Sequence, residues 1–320
     1  SGQGDGLARA AYRQEPGRGT SLSGIQDAGD FFWAEIDRQL SEVPQEVNLE
    51  RDDFYSQPDW DVFQMHYTGL KGYRLFAWLS IPHGTGPFPA LLRMPDYGSV
   101  HDLIYTALRS QAIVMNPTYR GQRQSDVPFQ ASYPGLLTEG IEILATYVMP
   151  LVFADGIRAL EALVGLSQSS GKVALTGAGL GGSLALFTAG RRSQVQAVAS
   201  DTPLMLGNPE ALEQAAAYPL AELQDYLRVH PQRRDTILEN TAAMDPMEMA
   251  RRISVQVLLS LGDKDRGQCP INLGRLLAER LPHCDLRVYQ GAGEGGGHEH
   301  GLVRTQWLKE RLGADRDRDK

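Results

Sequence analysis

A glycine-rich turn between a predicted strand and a predicted helix is the feature that most constrains the fold of this chain. The turn reads Thr-Gly-Ala-Gly-Leu-Gly-Gly over residues 176–182. The mostly apolar residues 172–175 predict a short buried strand before it, and residues 183–191 predict a helix after it. Glycine tolerates the backbone conformations that such a sharp turn requires. The order of strand, turn and helix is typical of α/β folds.

The rest of the chain also alternates between predicted strands and helices. Residues 62–68 and 73–81 predict a hairpin, because the turn residues 69–72 separate them. Shorter apolar runs predict buried strands at 89–94, 112–115, 173–176, 195–200, 255–260 and 286–290. Residues 152–163 carry apolar side chains at spacings of three and four, which predicts a helix. The sequence therefore predicts a mostly parallel sheet with helices on both faces.

The two ends of the chain differ from its middle in composition. Residues 1–25 are rich in Gly, Arg, Gln and Ser without periodicity, and residues 314–320 are almost all charged. Both segments are predicted to be disordered. Residues 26–313 are predicted to form a single domain.

Charge and composition restrict the classes of partner. The net charge of -8 argues against nucleic acid or an anionic membrane surface. No apolar run reaches the roughly 18 residues of a membrane span, and no signal peptide is recognisable, so a cytoplasmic location is expected, although the N-terminus could be trimmed. Cys269 and Cys284 are too few for a disulfide framework. No motif indicates a cofactor.

The glycine-rich turn has the frame of the G-x-S-x-G elbow of serine hydrolases. In that elbow, the central serine is lifted above the sheet by a strained turn between strand and helix. Gly179 stands at the serine position. Ser183 lies one helical turn further on, where capping or packing is the better interpretation. Thr176 and Ser200 end predicted strands, but neither lies in an elbow frame.

Two further polar groups follow later strands in the order that a catalytic triad requires. Asp265 follows the predicted strand 255–260, and His298 follows the strand 286–290. Asp265 would orient His298, which would act as the general base. Asp263 is a competing acid, and each residue alone could be an ordinary loop residue. The pair His298 and His300 could bind a cation near Glu294, but the spacing reveals no third or fourth ligand, so no metal site is predicted.

A series of short motifs resembles the acetyl xylan esterase and cephalosporin C deacetylase family of α/β-hydrolases, also called carbohydrate esterase family 7. The resemblance covers residues 30–312. It rests on Asp-Phe-Phe-Trp at 30–33, Arg-Gly-Gln at 120–122, Pro-Gly-Leu-Leu-Thr-Glu-Gly-Ile at 134–141, Tyr-Pro-Leu-Ala-Glu-Leu at 218–223, Asp-Tyr-Leu-Arg at 225–228 and Gly-His-Glu at 297–299.

This resemblance implies an α/β-hydrolase fold, with residues 203–249 forming a helical cap over the site. It also implies a homo-oligomer, usually a hexamer, and a small acylated molecule or sugar ester as the ligand. The family's acid would be Asp265, its base His298, and its nucleophile position Gly179. The backbone N–H groups of Tyr97 and Leu180 would form the oxyanion hole.

The chain departs from the family pattern around that hole. Asp96 replaces a glycine, and Leu180 replaces a glutamine. A carboxylate at Asp96 would oppose a developing oxyanion unless it were protonated or turned away. Tyr97 and Tyr119 are candidates for shaping the pocket.

Three hypotheses about function follow from the sequence. The chain could be an esterase that lacks only its serine. It could instead be an enzyme in which the dyad of Asp265 and His298 moves a proton, or a ligand-binding protein that has lost turnover. Loss of a triad serine costs a factor of about 10⁶ in turnover, so efficient acyl-enzyme chemistry is not expected, and the family esterase function is expected to be absent or much altered.

Overall fold

A nine-stranded sheet organises the part of the chain that the computed structural model describes, which comprises residues 22–98, 103 and 106–314. The strand order is β1-β2-β3-β5-β4-β6-β7-β8-β9. The first two strands and β3 pair antiparallel, as does β3 with β5, and the remaining pairs are parallel. The strands are β1 Asn48–Gln57, β2 Trp60–Thr68, β3 Arg74–Pro82, β4 Phe88–Arg93, β5 Ile113–Pro117, β6 Ser169–Ala178, β7 Val195–Asp201, β8 Gln256–Gly262 and β9 Cys284–Tyr289.

Helices cover both faces of this sheet. They are α1 Leu22–Glu42, α2 Val148–Val164, α3 Leu180–Ala189, α4 Pro209–Gln214, α5 Ala221–Val229, α6 Arg234–Ala242, α7 Pro246–Met249, α8 Ile271–Arg280 and α9 Gly297–Leu312. Side chains of α1, α2, α3 and α8 share one core with the sheet, whereas α9 forms a smaller core on the other face. The predicted α/β class with a mostly parallel sheet is therefore confirmed.

Some element boundaries differ from the sequence prediction. The edge strand β1 was not predicted, because most of its residues are polar and solvent-facing. Helix α1 begins at Leu22, so it overlaps the predicted disordered segment over residues 22–25, and residues 1–21 and 315–320 lie outside the described part. The last helix begins at Gly297, so His298 and His300 both lie near its N-terminus.

The long connection between β7 and β8 holds the helices α4 to α7. This is the segment in which the resemblance implies a cap. Its backbone is bonded to the loop after β8, since the N–H groups of Ala216 and Leu220 donate to the carbonyls of Arg266 and Gly267 at 2.9 and 3.0 Å. The connection therefore packs against the carboxyl ends of the parallel strands, where ligand sites of open α/β sheets lie.

A buried ion pair fixes the loop after β5 to helix α2. The Arg120 guanidinium donates to both carboxylate oxygens of Asp155 at 2.7 and 2.9 Å, and both side chains are almost completely buried. The Arg120 backbone N–H also donates to Asp155. Within the described residues, no helix is long and apolar enough to span a membrane.

The Asp155→Ala variant should lose about 3–5 kcal/mol of unfolding free energy, because it leaves the buried Arg120 charge without its partner. Urea denaturation followed by circular dichroism measures this loss. Asp285→Ala is the matched control, since it removes a partly exposed pair with Arg287 that contributes about 0–1 kcal/mol. Equal losses in the two variants would contradict the structural role of the Arg120 pair.

Candidate functional site

The elbow frame is fully formed around Gly179. This residue connects β6 to α3 with φ 54° and ψ -120°, a backbone conformation that side chains disfavour. Its N–H donates to the Asp201 carbonyl at 2.9 Å, and its own carbonyl accepts from Leu204 at 2.9 Å. The flanking glycines are required by close packing, because a Cβ atom on Gly177 would lie 2.4 Å from the Gly181 backbone.

Other side chains fill the volume that a nucleophile would need at Gly179. A Cβ atom built there would lie 1.9 Å from Gln268 Oε1 and 2.3 Å from Asp96 Oδ1. A serine therefore requires both side chains to move. The surroundings of Gly179 are thus packed against a residue that has no side chain.

The two backbone N–H groups that were assigned to the oxyanion hole point at a single atom of the protein itself. The Tyr97 N–H donates to Asp96 Oδ1 at 2.6 Å, and the Leu180 N–H donates to the same oxygen at 2.9 Å. The Asp96 carboxylate thus engages both of the donors that the family resemblance assigns to an oxyanion hole. Its side chain keeps a solvent-accessible face, but desolvation by the surrounding protein raises its pKa to about 6, against the lowering effect of the two N–H groups.

Gln122 of the Arg-Gly-Gln segment and the nearby Tyr119 hold the loop that carries Asp96. Gln122 Nε2 donates to the Asp96 carbonyl at 3.1 Å and also to the carbonyl of Gly98. The Tyr119 hydroxyl donates to the Asp96 carbonyl at 3.2 Å. Tyr119 is buried, so it acts here as a support of the loop.

The same loop is also hydrogen-bonded to helix α5. The Tyr97 hydroxyl donates to the buried Glu222 carboxylate. Glu222 also accepts from the backbone N–H and the hydroxyl of Thr138, both at 3.0 Å. Tyr97 therefore bonds Asp96 through its backbone N–H and joins the loop to the β7–β8 connection through its side chain.

Asp265 is bonded to its own loop. Its carboxylate accepts from the N–H groups of Gly267, Gln268 and Cys269 at 2.9 to 3.0 Å. Burial raises its pKa in spite of these bonds. The competing Asp263 accepts from the Gly291 N–H at 2.7 Å. In this arrangement Asp265 shapes the turn that presents Gln268 to Gly179.

His298 and Asp265 are not brought together as a hydrogen-bonded pair. His298 lies in the first turn of α9 and is exposed, and no hydrogen bond joins it to a described residue. The loop 290–296 before this helix carries Glu294 as its one ionisable side chain. The acid and the base that the resemblance implies therefore lack the hydrogen bond that would orient the imidazole.

A different carboxylate and histidine do form a pair. His300 is fully buried, with Nε2 3.0 Å from Asp201 Oδ1 and Nδ1 2.9 Å from the Tyr289 hydroxyl. Burial would raise the pKa of Asp201, but the His300 hydrogen bond and the Arg304 charge hold it below its ordinary value. Sequence reasoning missed Asp201, although its place at the end of the strand beside the elbow strand was a usable signal. The pair is sealed from solvent and supports the elbow through the Asp201 carbonyl.

The remaining candidates have structural positions. The Ser183 hydroxyl is buried and donates to the Leu204 carbonyl at 2.6 Å. Thr176 and Ser200 are also buried. Among the described residues, no group of three or more His, Cys, Asp or Glu side chains could hold a metal ion.

The fold and the elbow define an α/β-hydrolase. Residues 21–310 match the acetyl xylan esterase (AXE1) family, so the chain belongs to that family. It is 25% identical to the acetyl esterase Axe7A of Xylanibacter ruminicola over 260 residues, which are 77% of this chain but 57% of that longer relative.

Two solved structures have the same fold. The acetyl xylan esterase of Paenibacillus sp. R4 has a TM-score of 0.79 and 22% identity, over 91% of this chain and 99% of that one. Acetyl xylan esterase 1 of Thermoanaerobacterium sp. JW/SL YS485 has a TM-score of 0.78 and 20% identity, over 92% of this chain and 99% of that one. These likenesses extend across nearly the whole domain.

The Gly179→Ala variant should lose about 1–3 kcal/mol of unfolding free energy, since the positive φ and the contacts with Gln268 and Asp96 disfavour a Cβ atom. Adding Gln268→Ala should recover part of the loss. Gly293→Ala is the control, because a Cβ atom there meets nothing within 4 Å. Denaturation curves measure all three variants. A Gly179→Ala loss as small as that of Gly293→Ala would refute the crowding at the elbow.

The Asp96→Asn variant should gain stability relative to the parent chain as the pH rises from about 4 to about 7. The folded parent holds a proton on Asp96 between its ordinary pKa of 3.8 and about 6, so its relative stability falls as pH rises through this window. Asparagine lacks this titration. Urea denaturation at several pH values measures the difference, with Asp59→Asn as the exposed control. The same trend in both variants would refute the raised pKa of Asp96.

Proposed function

We propose that this chain is a member of the acetyl xylan esterase family that forms no acyl-enzyme and acts as a ligand-binding protein. The observation that carries this proposal is the position of Asp96 and Gln268. Asp96 Oδ1 accepts from both N–H groups of the hole, and Gln268 Oε1 fills the place of a nucleophile's Cβ atom. An ester carbonyl would find neither a nucleophile nor free donors at this site.

The proposal differs from the loss of one hydroxyl in an otherwise intact esterase. With a serine restored at Gly179, the oxyanion hole would still hold Asp96. Removing a single hole donor from a serine hydrolase costs a factor of about 10² to 10³ in turnover, and here one carboxylate engages both donors. This supports a site in which both the nucleophile position and the oxyanion hole differ from those of an active serine hydrolase.

The second hypothesis, proton transfer by Asp265 and His298, has less support. General acid–base catalysis requires the two groups within hydrogen-bond reach of one another or of the ligand. The Asp265 carboxylate accepts hydrogen bonds from three backbone N–H groups, and His298 is exposed in helix α9. The arrangement favours binding over proton transfer.

The ligand that the family resemblance implies, a small acylated molecule or sugar ester, also fits this site poorly. Its carbonyl oxygen is a hydrogen-bond acceptor, and the two N–H groups that would receive it already donate to Asp96 Oδ1. We therefore infer that the preferred ligand differs in its hydrogen-bonding character from the family's esters.

Hydrolysis of p-nitrophenyl acetate tests the proposal. The parent chain and Gly179→Ser should both release p-nitrophenol no faster than the same proteins carrying His298→Ala, because the hole is filled in each. Circular dichroism and thermal denaturation establish that all four proteins are folded. Rapid turnover by Gly179→Ser that depends on His298, or any such turnover by the parent chain, would refute the proposal.

A further inference from the structure

A groove lies between helix α1 and the helices that follow β7. Trp33 of α1, Leu238 of α6 and Leu276 of α8 all line it, and its volume is about 840 Å³. This volume is within the range of small-molecule sites in proteins. The hydrogen-bond partners of Gly179 and Asp96 do not line it, so the groove is separate from the elbow.

Aromatic and thioether groups contribute to the apolar lining of this groove. Trp33 packs against Phe187 with ring centroids 4.5 Å apart, and its indole N–H donates to the Ala243 carbonyl at 3.0 Å. The buried side chains Met247 and Met249 also line the groove. Methionine adapts its shape to its neighbours, and its sulfur makes favourable contacts with aromatic rings. The lining therefore favours an aromatic ligand.

The arginines of the lining are mostly neutralised by carboxylates of the protein. Three ion pairs achieve this, namely Arg252 with Asp30, Arg280 with Glu248, and Arg191 with Asp37. Arg251 and Glu239 line the groove without an ion-pair partner among the described residues, but both are exposed and their charges are opposite. An anionic ligand would therefore have to displace a carboxylate from an ion pair or rely on a solvent-exposed one, which contributes little.

Two further carboxylates of the lining are held by uncharged donors. Asp245 accepts from the Asn208 side chain at 3.1 Å and from the Met247 N–H at 2.9 Å, and Glu210 accepts from Asn272 at 2.8 Å. Burial raises the pKa of Asp245 to about 6 in spite of its two hydrogen bonds. The surroundings of Asp245 thus disfavour negative charge, and a second anion beside it would be disfavoured for the same reason.

We propose that this groove binds an uncharged aromatic molecule of about two or three rings. The rings would lie against Trp33 and the thioethers of Met247 and Met249, and the ion pairs of the lining would stay intact. The groove is a second site apart from the elbow, so this inference does not depend on the function proposed for the elbow.

Two fluorescent probes that share their rings but differ in charge test the inference. N-phenyl-1-naphthylamine is uncharged, and 8-anilinonaphthalene-1-sulfonate carries the same rings with a sulfonate. Fluorescence titration at neutral pH should give the full chain a dissociation constant in the micromolar range for the uncharged probe. The sulfonate should bind at least about tenfold more weakly, because it adds a negative charge beside the carboxylates of the groove.

A pair of exposed leucines supplies matched variants. Leu276→Asp introduces a charge into the apolar lining, so it should weaken binding of the uncharged probe at least about tenfold. Leu302→Asp makes the same change on α9, outside the groove, at a side chain that is also exposed. This variant should leave the titration unchanged. Circular dichroism establishes that both variants are folded.

Protein-observed NMR locates the bound probe without any substitution. The indole N–H resonance of Trp33, assigned in the parent chain, should shift more on saturation with N-phenyl-1-naphthylamine than those of Trp60 and Trp307. These two tryptophans do not line the groove.

Several outcomes would overturn the inference. They are failure of the uncharged probe to bind, equal or tighter binding of the sulfonate, tighter binding of the cation 1-naphthylmethylammonium, equal losses in Leu276→Asp and Leu302→Asp, or larger shifts at Trp60 or Trp307 than at Trp33. Self-association in sedimentation runs that abolishes probe binding would instead assign the groove to a second copy of the chain. The p-nitrophenyl acetate assay reports separately on the elbow, so failure of either proposal leaves the other standing.

Discussion

The hydrogen bonds from the N–H groups of Tyr97 and Leu180 to one oxygen of Asp96 determine what the rest of the site can do. In a serine hydrolase, such donors stabilise the negative charge that develops on the substrate oxygen during the reaction. Here the charge belongs to the protein and is present before any ligand arrives. Under the proposed function, both donors are already satisfied by Asp96, so they leave no free N–H for the oxygen of a tetrahedral intermediate.

The surroundings of Asp96 show why this arrangement is stable. Gln122 and Tyr119 donate hydrogen bonds to the carbonyl of the same residue. The Tyr97 hydroxyl joins the loop to the buried Glu222 of helix α5. The loop is thus fixed on two sides by groups that do not depend on a substrate. The Arg-Gly-Gln segment contributes in two ways, since its arginine pairs with Asp155 in the core and its glutamine supports the site.

Much of the fold could be predicted from the sequence because it depends on local patterns. The apolar runs of the parallel strands and the glycines of the elbow can each be recognised within a window of about ten residues. The roles of the side chains in the site could not be predicted in this way. Gln268 reaches Gly179 from a loop some ninety positions later in the chain, and His300 meets Asp201 across 99 positions.

Strand β1 and Asp96 illustrate two other limits. The polar sequence of β1 hides a strand that needs only one partner at the sheet edge. The carboxylate of Asp96 was recognised as a departure, but the sequence does not specify its direction. The same sequence is compatible with a carboxylate that points away from the two N–H groups and with one that accepts from both. Only the fold distinguishes these two orientations.

The close packing at Gly177 and Gly181 has a consequence for how such chains are recognised. A side chain at Gly177 would collide with the backbone of Gly181, and one at Gly181 would lie 2.5 Å from the carbonyl oxygen of Met94. The packing of this turn therefore requires glycine at both positions, whether or not the protein turns over a substrate. A glycine-rich elbow thus identifies the architecture of a chain, whereas its chemistry depends on the side chains that surround the turn.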